Sequence, residues 1–326
     1  MADTTTRPRP AVTVLPTGEP PRGPRPRPRP GRAQRPAWSE RPSPAATAGK
    51  ALVLTLICLV VLYPMVYILA VSLSDQNDLA GDGLLLWPKH WSLESYRTIL
   101  AGGLVTRALV VSVLVTVVGT FVSMVLTVLT AYSLTRTREV PGARFVLWLV
   151  LGTMLFSAGI IPNFLLVRET GMLNSYWSLI IPSAVNAFNL VVVRNAFMDL
   201  PAELFDSARI DGAGEWQILW RIVLPLSKAV IAVVSLFYAV ALWSDFFSAM
   251  IYLNDTAKWP IQLVLRQFVL EGQSMTQLAP NPNAPLPQPQ TLQMAVTVVA
   301  TLPILIVYPF VQRFFTKGVL VGAVKG

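Results

Sequence analysis

Apolar residues are concentrated in six stretches of the chain, which are separated by segments rich in Pro, Gly or charge. A helix rises about 1.5 Å per residue, so about 20 residues cross a hydrocarbon core about 30 Å thick. Each stretch is long enough, and a helix satisfies its own backbone polar groups in lipid. The stretches run approximately from Ala51 to Leu73, Leu104 to Leu134, Phe145 to Val167, Trp177 to Met198, Ala229 to Leu253 and Thr291 to Phe314. This pattern predicts an all-α fold, a polytopic membrane helix bundle with about six transmembrane helices.

The composition supports lipid as the main solvent of the chain. Of the 326 residues, 53% are hydrophobic and only 13% are charged, whereas charged residues make up about a quarter of an ordinary soluble domain. The long apolar stretches therefore indicate a single transmembrane domain, which we place at residues 50–326.

The net charge of +9 is concentrated in an N-terminal tail. The first 50 residues contain ten Arg or Lys residues and three acidic ones, so they carry +7 of this charge. Too little charge remains elsewhere for a basic nucleic-acid-binding face. Residues 1–49 are rich in Arg and Pro, which favours extended polyproline II, and we predict a disordered cytoplasmic tail. This tail could be a solvated anchor attracted to anionic lipid, or a docking segment for a proline-binding partner.

The distribution of Lys and Arg predicts the orientation, because cytoplasmic loops carry an excess of both residues. With a cytoplasmic N-terminus, twenty of these residues lie inside and six outside, and the ratio is still ten to six without the tail. We therefore predict a multi-pass protein of the plasma (inner) membrane with both termini in the cytoplasm.

The sequence offers little for metal, disulfide or nucleotide chemistry. Cys58 is the single cysteine and lies in an apolar stretch, and the single histidine, His90, has no thiol or acid at ligand spacing. No segment resembles the phosphate-binding loop of nucleotide hydrolases. We expect no catalytic residue, no metal site and no cofactor in this chain.

The loop between the fourth and fifth stretches has its own helical pattern. Pro201 can start a short helix, Gly212 and Gly214 end it, and Glu215 opens a second helix. The second helix has an apolar stripe at helical spacing, and Pro225 starts the next span. The stripe is formed by Trp216, Leu219, Trp220 and Val223. Such a loop could be a rigid projection that receives force from a soluble partner, or an amphipathic hairpin at the headgroup layer.

The spacing in this loop resembles the EAA loop of binding-protein-dependent ABC importer permeases. That pattern is Glu-Ala-Ala, three residues, Gly, nine residues, Ile, one residue and Leu-Pro. Here Asp206-Ser207-Ala208 stands for the triplet, Gly212 and Ile222 follow at the right distances, and Leu224-Pro225 closes the pattern. Asp206 and Ser207 depart from the pattern but keep charge or small size. We call residues 199–227 the coupling loop.

Other segments resemble the maltose G-type, carbohydrate-uptake branch of these permeases. They include Ser72-Leu73-Ser74-Asp75, Ala131-Tyr132-Ser133-Leu134 and the C-terminal Lys317-Gly318. The resemblance covers about Ala51 to Gly326 and implies the type I ABC importer permease fold. It also implies three partners: a second permease subunit, a cytoplasmic ABC ATPase dimer that binds ATP and Mg²⁺, and an extracytoplasmic sugar-binding protein.

The resemblance assigns the contact with the ATPase to the coupling loop. The residues concerned are Glu203, Asp206, Ser207, Ala208, Asp211, Gly212, Ala213, Ile222, Leu224 and Pro225. ATP binding would then favour the outward-open state of the bundle over the inward-open state.

Polar and aromatic residues within the spans are candidates for the substrate path, because intramembrane polar groups usually face the bundle interior. They are Asn163, Asn186, Asn189, Trp243 and Asp245. Trp243 could stack on a sugar ring and Asp245 could accept hydrogen bonds from hydroxyls. Alternatively, Asp245 bonds only within the helix bundle.

Other functions remain open from the sequence alone. The permease could carry a solute that is not a sugar. A membrane-embedded enzyme would need clustered acids at an interface, for which Asp75, Asp78 and Asp82 are weak candidates. A secondary transporter would usually have internal repeats and more spans.

Overall fold

The computed structural model describes residues 43–75, 78, 87–101, 103–137, 139–269 and 288–323. Most of the predicted Arg/Pro tail and the segment 270–287 therefore lie outside the described residues. Within the described part, all regular elements are helical, and one isolated bridge joins Ser74 to Trp91. The all-α prediction is confirmed.

Within the described residues, the helices follow in chain order from α1 to α14, and a π-helix and a 3₁₀ helix lie between them at the positions given below. They are α1 Pro44–Ser72, α2 Glu94–Leu100, α3 Leu104–Thr135, α4 Ala143–Leu155, α5 Ile160–Glu169, α6 Trp177–Ile180, α7 Ala187–Met198, α8 Ala202–Ile210, α9 Glu215–Ile218, the π-helix Leu219–Val223, α10 Leu224–Leu226, α11 Lys228–Ser244, α12 Phe246–Tyr252, the 3₁₀ helix Thr256–Lys258, α13 Ile261–Val269 and α14 Pro289–Ala323.

The chain divides into two compact units, residues 1–57 and 58–326. The described part of the first unit is helical from Pro44, inside the stretch that the sequence assigns to the tail. Its start has a local cause, because Ser43 Oγ accepts a hydrogen bond from the backbone N–H of Ala46 at 3.1 Å. Proline suits the first helical position, where its missing N–H costs nothing.

Three of the six predicted windows form long uninterrupted helices. By length and composition, α1, α3 and residues Pro289–Pro309 of α14 can each cross a membrane. A fourth crossing results if Glu215–Leu226 and α11, bent by 83° to each other, count as one. These counts concern the described residues only.

The other three windows are covered by pairs of shorter helices. The break between α4 and α5 includes Gly159, whose φ of +83° favours glycine. Residues 181–186, which include Pro182, separate α6 from α7, and Asp245 separates α11 from α12. Each window is thus helical at both ends with a local interruption.

Helix α3 is the central element of the second unit and packs along α7 and α11. Near its middle, a Cβ built on Gly119 would lie 2.7 Å from Cδ1 of Leu242 in α11, so the missing side chain permits this close approach. A cluster around Val105 and Ala108 packs one end of α3 against α13 and α14. Another cluster packs the opposite end of α3, around Val128 and Ala131, against α7 and the coupling loop.

The buried carboxylate of Asp78 holds the described segment just before α2. Asp78 Oδ2 accepts backbone N–H bonds from Lys89 and His90 at 2.9 and 2.7 Å, and Oδ1 lies 2.8 Å from Nδ1 of His90. Folding therefore brings Asp78 next to His90, although the sequence has no acidic residue at ligand spacing from this histidine. Among the described residues, no group of three or more His, Cys, Asp or Glu side chains could hold a metal ion.

We expect this segment to loosen only in strong acid. The hydrogen bonds from His90 hold the pKa of Asp78 below its usual range. A carboxylate with a lowered pKa stabilises the folded state above its ordinary pKa of about 3.9, and this stabilisation is lost as the pH falls further. Hydrogen exchange of residues 87–93, corrected for the intrinsic pH dependence, should therefore rise only below about pH 4. Asp78→Asn should already exchange faster at pH 7, and equal exchange in both proteins would contradict this role.

Candidate functional site

The first helix of the coupling loop, α8, ends in a glycine-dependent turn. The N–H of Gly212 donates to the carbonyl of Arg209 at 3.0 Å, and the N–H of Ala213 donates to the carbonyl of Ala208 at 2.9 Å. This pair of bonds is the Schellman motif, which needs a left-handed residue just beyond the helix end. Gly212 supplies it with a φ of +79°. The turn closes one helix and directs the chain into the next.

The second helix of the loop differs from the prediction in the face that it buries. Ile218, Leu219 and Val223 are buried, whereas Trp216 and Trp220 are each 64% exposed. The predicted stripe of four residues is therefore wrong for its two tryptophans. Ile218, Leu219 and Val223 share the buried face of the segment that runs from α9 into the π-helix Leu219–Val223, and the two tryptophans lie off that face.

The loop joins the next span through a sharp bend. Glu215–Leu226 and α11 meet at 83°. Pro225 lies in α10, just before the bend at Ser227, and α11 begins at Lys228. The start of the predicted window at Ala229 therefore agrees with α11 to within one residue, whereas Pro225 lies three residues before the helix begins.

The predicted coupling residues fall into two groups. The inward group packs in the cluster that joins the loop to α3 and α7, and it consists of Ala208, Ala213, Ile222 and Leu224. The outward group is exposed and consists of Glu203, Asp206, Ser207, Asp211, Gly212 and Pro225. The hydroxyl of Ser207 donates to the carbonyl of Glu203 at 2.8 Å, within α8. The inward group holds the loop on the bundle and leaves the acidic outward group accessible.

An ionic network, which the sequence did not predict, joins the coupling loop to the end of α3. Arg136 Nη2 lies 3.0 Å from Glu215 Oε2, and Arg136 Nη1 lies 3.2 Å from Glu139 Oε2. Arg209 Nη2 lies 3.3 Å from Glu139 Oε2 and 3.5 Å from Glu215 Oε1. The sequence shows these charges, but their pairing connects positions up to about 80 residues apart and has no local signal.

A second region of interest is a polar cavity of about 310 Å³ inside the bundle. It contains three of the five residues predicted for the substrate path. The residues that line it are Ser183, Asn186, Asn189, Tyr238, Ala241, Leu242, Ser244 and Asp245. Hydroxyl, amide and carboxylate groups thus converge from α7, α11 and the segment after α6.

Two of these residues also cap helices. The side chain of Asn186 accepts the N–H of Asn189 at the start of α7 at 3.1 Å, and Asp245 Oδ1 accepts the N–H of Ser248 at the start of α12 at 3.0 Å. At both interruptions, a side chain therefore accepts a hydrogen bond from a backbone N–H group. Such a group would be costly to leave without a partner in lipid. The alternative interpretation of Asp245, in which it forms hydrogen bonds within the helix bundle, therefore describes part of its role.

Tyr238, which the sequence analysis missed, joins the cavity to α3. Its hydroxyl accepts the backbone N–H of Asn186 at 2.9 Å and lies 2.7 Å from the hydroxyl of Thr127. A tyrosine in an apolar span has no pattern that distinguishes it from a core residue, so only the fold reveals this position.

The other two predicted residues lie elsewhere. Trp243 is buried, and its Nε1 donates to the carbonyl of Ala300 at 3.1 Å, beside an apolar cavity that Pro303 and Tyr308 also line. Asn163 is exposed on α5. The structure does not bring either side chain into the polar cavity.

Known proteins resemble this chain over most of its length. Residues 51–321 match the family described as "Binding-protein-dependent transport system inner membrane component". The polygalacturonan/rhamnogalacturonan transport system permease protein YtcP of Bacillus subtilis is 46% identical over 279 residues, which cover 85% of this chain and 96% of the relative. Protein LplC of Bacillus subtilis is also 46% identical, over 82% of this chain and 90% of the relative.

A solved structure has a similar fold. It is a chain from a bacterial ABC transporter involved in the import of the acidic polysaccharide alginate, with a TM-score of 0.78 and 29% sequence identity. The match covers 85% of this chain and 99% of the solved one.

The Schellman turn leads to a specific expectation for Gly212. A left-handed conformation costs an ordinary residue about 1–2 kcal/mol, and Asn tolerates it best after Gly. We expect Gly212→Val to lose most uptake activity and Gly212→Asn to keep most of it, with equal amounts of both variants in the membrane. Uptake by cells, normalised to membrane content, is the measurement.

Comparison of the two variants shows whether the backbone conformation at Gly212 or the room for a side chain there limits uptake. A Cβ at Gly212 would meet no atom within 4 Å in this chain. Equal loss in both variants would therefore point to a partner that needs a bare backbone there, and normal uptake by Gly212→Val would remove this turn from the functional site.

Proposed function

This chain belongs to the family of binding-protein-dependent transport system inner membrane components, and from that premise we propose that its cargo is a sugar or an oligosaccharide. Family membership makes it a multi-pass permease subunit of an ABC importer and not an enzyme. The likeness to the alginate importer confirms the predicted type I permease fold. The resemblance stated from the EAA pattern is therefore correct.

The observation that carries the sugar proposal is the polar cavity of about 310 Å³ between α7 and α11. Its lining offers amide, hydroxyl and carboxylate groups from Asn189, Tyr238 and Asp245, which suit the hydroxyls of a sugar. A cavity that fixes a ligand by a few convergent polar groups is the usual form of a small-molecule site. The name of YtcP, a polygalacturonan and rhamnogalacturonan permease, supports the same substrate class.

The coupling loop is the proposed site for a cytoplasmic ABC ATPase dimer. Its outward group presents the carboxylates of Glu203, Asp206 and Asp211 on a surface held rigid by the buried inward group. The ATPase supplies the bound ATP and Mg²⁺, and this chain supplies no cofactor. Closure of the dimer on two such loops, one on each of two permease subunits, favours the outward-open state.

The same surface supports the orientation that we propose. Arg136, Glu139 and the coupling loop meet at one end of α3, so the loops after α3 and after α7 share one side of the membrane. That side is the cytoplasm in our proposal, which also places the N- and C-termini there. The opposite end, with Trp87, Trp91 and α2, faces the extracytoplasmic sugar-binding protein.

Transport by the reconstituted complex tests the function. The permease pair, its ATPase and its binding protein in proteoliposomes should take up a galacturonate oligosaccharide of about two to four units with ATP hydrolysis. Amino acids should give neither uptake nor hydrolysis. Stimulation by amino acids, and not by any oligosaccharide, would contradict the sugar proposal while leaving the family assignment intact.

Variants of the cavity show whether it contacts the cargo. Asn caps a helix about as well as Asp, so Asp245→Asn should preserve folding yet alter the apparent KM for the sugar. Asn189→Leu should raise the KM about tenfold or more, since removing a buried polar partner costs about 1–3 kcal/mol. Asn163→Leu, outside the cavity, is the matched control. Unchanged kinetics in both cavity variants would exclude the cavity from the path.

Labelling tests the orientation independently of transport. In a Cys58→Ser background, Ile210→Cys and Trp87→Cys place single thiols at positions that are 86% and 72% exposed. A membrane-impermeant maleimide should label position 87 in intact cells and position 210 only after the membrane is opened. The reverse pattern would invert the proposed topology and separate the coupling loop from any cytoplasmic ATPase.

A further inference from the structure

We propose that Arg136 is a positioning residue that fixes both helices of the coupling loop to the end of α3, so that movement of the loop is passed to the substrate cavity. The inference rests on the proposed function of the loop. It concerns a residue outside the EAA pattern, in the segment that follows α3.

Arg136 contacts both halves of the coupling loop. Its Nη2 lies 3.0 Å from Oε2 of Glu215, at the start of α9, and its guanidinium lies 5.9 Å from the ring centroid of Phe205 in α8. It also lies 5.3 Å from the ring centroid of Tyr132 in α3. One side chain at the end of α3 therefore contacts both α8 and α9.

Tyr132 completes a closed set of hydrogen bonds. Its hydroxyl donates to Oε2 of Glu215 at 2.5 Å and accepts from Nη2 of Arg136 at 3.1 Å. Glu215 is thus held by two groups from the end of α3 at one carboxylate oxygen. Charge-assisted bonds of this kind are shorter and about twice as strong as neutral ones.

Burial distinguishes Arg136 from the other charges of the network. Its side chain is only 13% exposed, whereas those of Glu215 and Glu139 are 50% and 59% exposed. Exposed ion pairs contribute little, so the shielding of the Arg136 guanidinium from water is what sets its contacts apart from the others. Arg209, at 40% exposure and with longer contacts, is the weaker link.

The direction of these bonds matters for the transmission of movement. The apolar contacts of Ile218 and Val223 hold the loop against α3 and α7, but apolar burial is not directional. The planar guanidinium, with its fixed fork of donors, sets one position for Glu215 and Phe205. Displacement of the loop is therefore transferred to α3.

From there, α3 reaches the cavity directly. Thr127 lies on α3, about one and a half turns before Tyr132 and about two and a half turns before Arg136. It bonds to Tyr238, whose hydroxyl accepts the N–H of Asn186 at the cavity. The path runs through one continuous helix and two hydrogen bonds. Rigid helices and hydrogen-bond networks of this kind are the elements that carry coupling between sites.

The test compares transport with ATP use in the full reconstituted complex. Arg136→Met should lower the number of sugar molecules moved per ATP by about fivefold or more, the lower limit of typical coupling between sites. Sugar-dependent ATP hydrolysis should change little. Arg136→Lys keeps the positive charge but not the planar set of N–H donors, so its ratio of sugar moved to ATP hydrolysed should be intermediate.

Two further variants control this comparison. Arg144→Gln removes an exposed positive charge at the start of α4, near the same end of the bundle, and should leave the ratio unchanged. Arg136→Met combined with Glu215→Gln should be no worse than Arg136→Met alone, because residues that act together are not additive. A proportional loss of transport and hydrolysis would show only a structural role and overturn the proposal.

A measurement without transport decides the positioning itself. Hydrogen exchange of residues 202–218 in the purified chain should accelerate in Arg136→Met and stay as in the wild type in Arg144→Gln. Unchanged exchange in Arg136→Met would overturn the proposal even if the complex transports sugar. Accelerated exchange together with a wild-type complex that ignores every sugar would uphold the positioning and reject the sugar function.

Discussion

The contact between the inward face of the coupling loop and the end of α3 is the interaction on which the functional design depends. Ala208, Ile218, Leu219 and Val223 are buried there against Ala131 of α3 and residues of α7. Without this burial the loop would be a pair of short helices, and helices of this length are not stable alone in water. Its outward carboxylates and its glycine turn can present a defined surface only because the other face is fixed.

The interruptions of the spans solve a related problem inside the membrane. A break in a helix exposes backbone donors, which lipid cannot satisfy. Asn186 and Asp245 supply acceptors at two of these breaks, and both side chains line the polar cavity. The features that make broken helices tolerable therefore also place polar groups where a hydrophilic cargo could pass.

Much of the architecture could be predicted from hydropathy and turn residues. The helical windows, the two short helices of the coupling loop and the break at Gly212 all depend on local sequence, and the structure has them. The interruptions at 156–159 and at Asp245 were missed, because a hydropathy average over about twenty residues is not sensitive to a single capping residue. The exposure of Trp216 and Trp220 was missed because apolar residues at helical spacing do not show which side of a helix the fold buries.

The features of the site that the sequence analysis missed depend on tertiary contacts. Arg136 and Glu215, Asp78 and His90, and Thr127 and Tyr238 are pairs that only the folded chain brings together. For the substrate path, polarity within a span identified Asn186, Asn189 and Asp245, which the fold gathers. It could not separate them from Asn163 and Trp243, because the side of the helix on which a residue lies depends on packing against neighbours.

The length of α3 has a consequence for the membrane in which the protein works. Its 32 residues span about 48 Å, whereas the hydrocarbon core measures about 30 Å. Such an excess is taken up by tilt or by protrusion, and the balance changes with bilayer thickness. A thinner bilayer would incline the helix further and displace its charged end sideways. The lipid composition of the membrane therefore affects how the coupling loop is aligned at that end of α3.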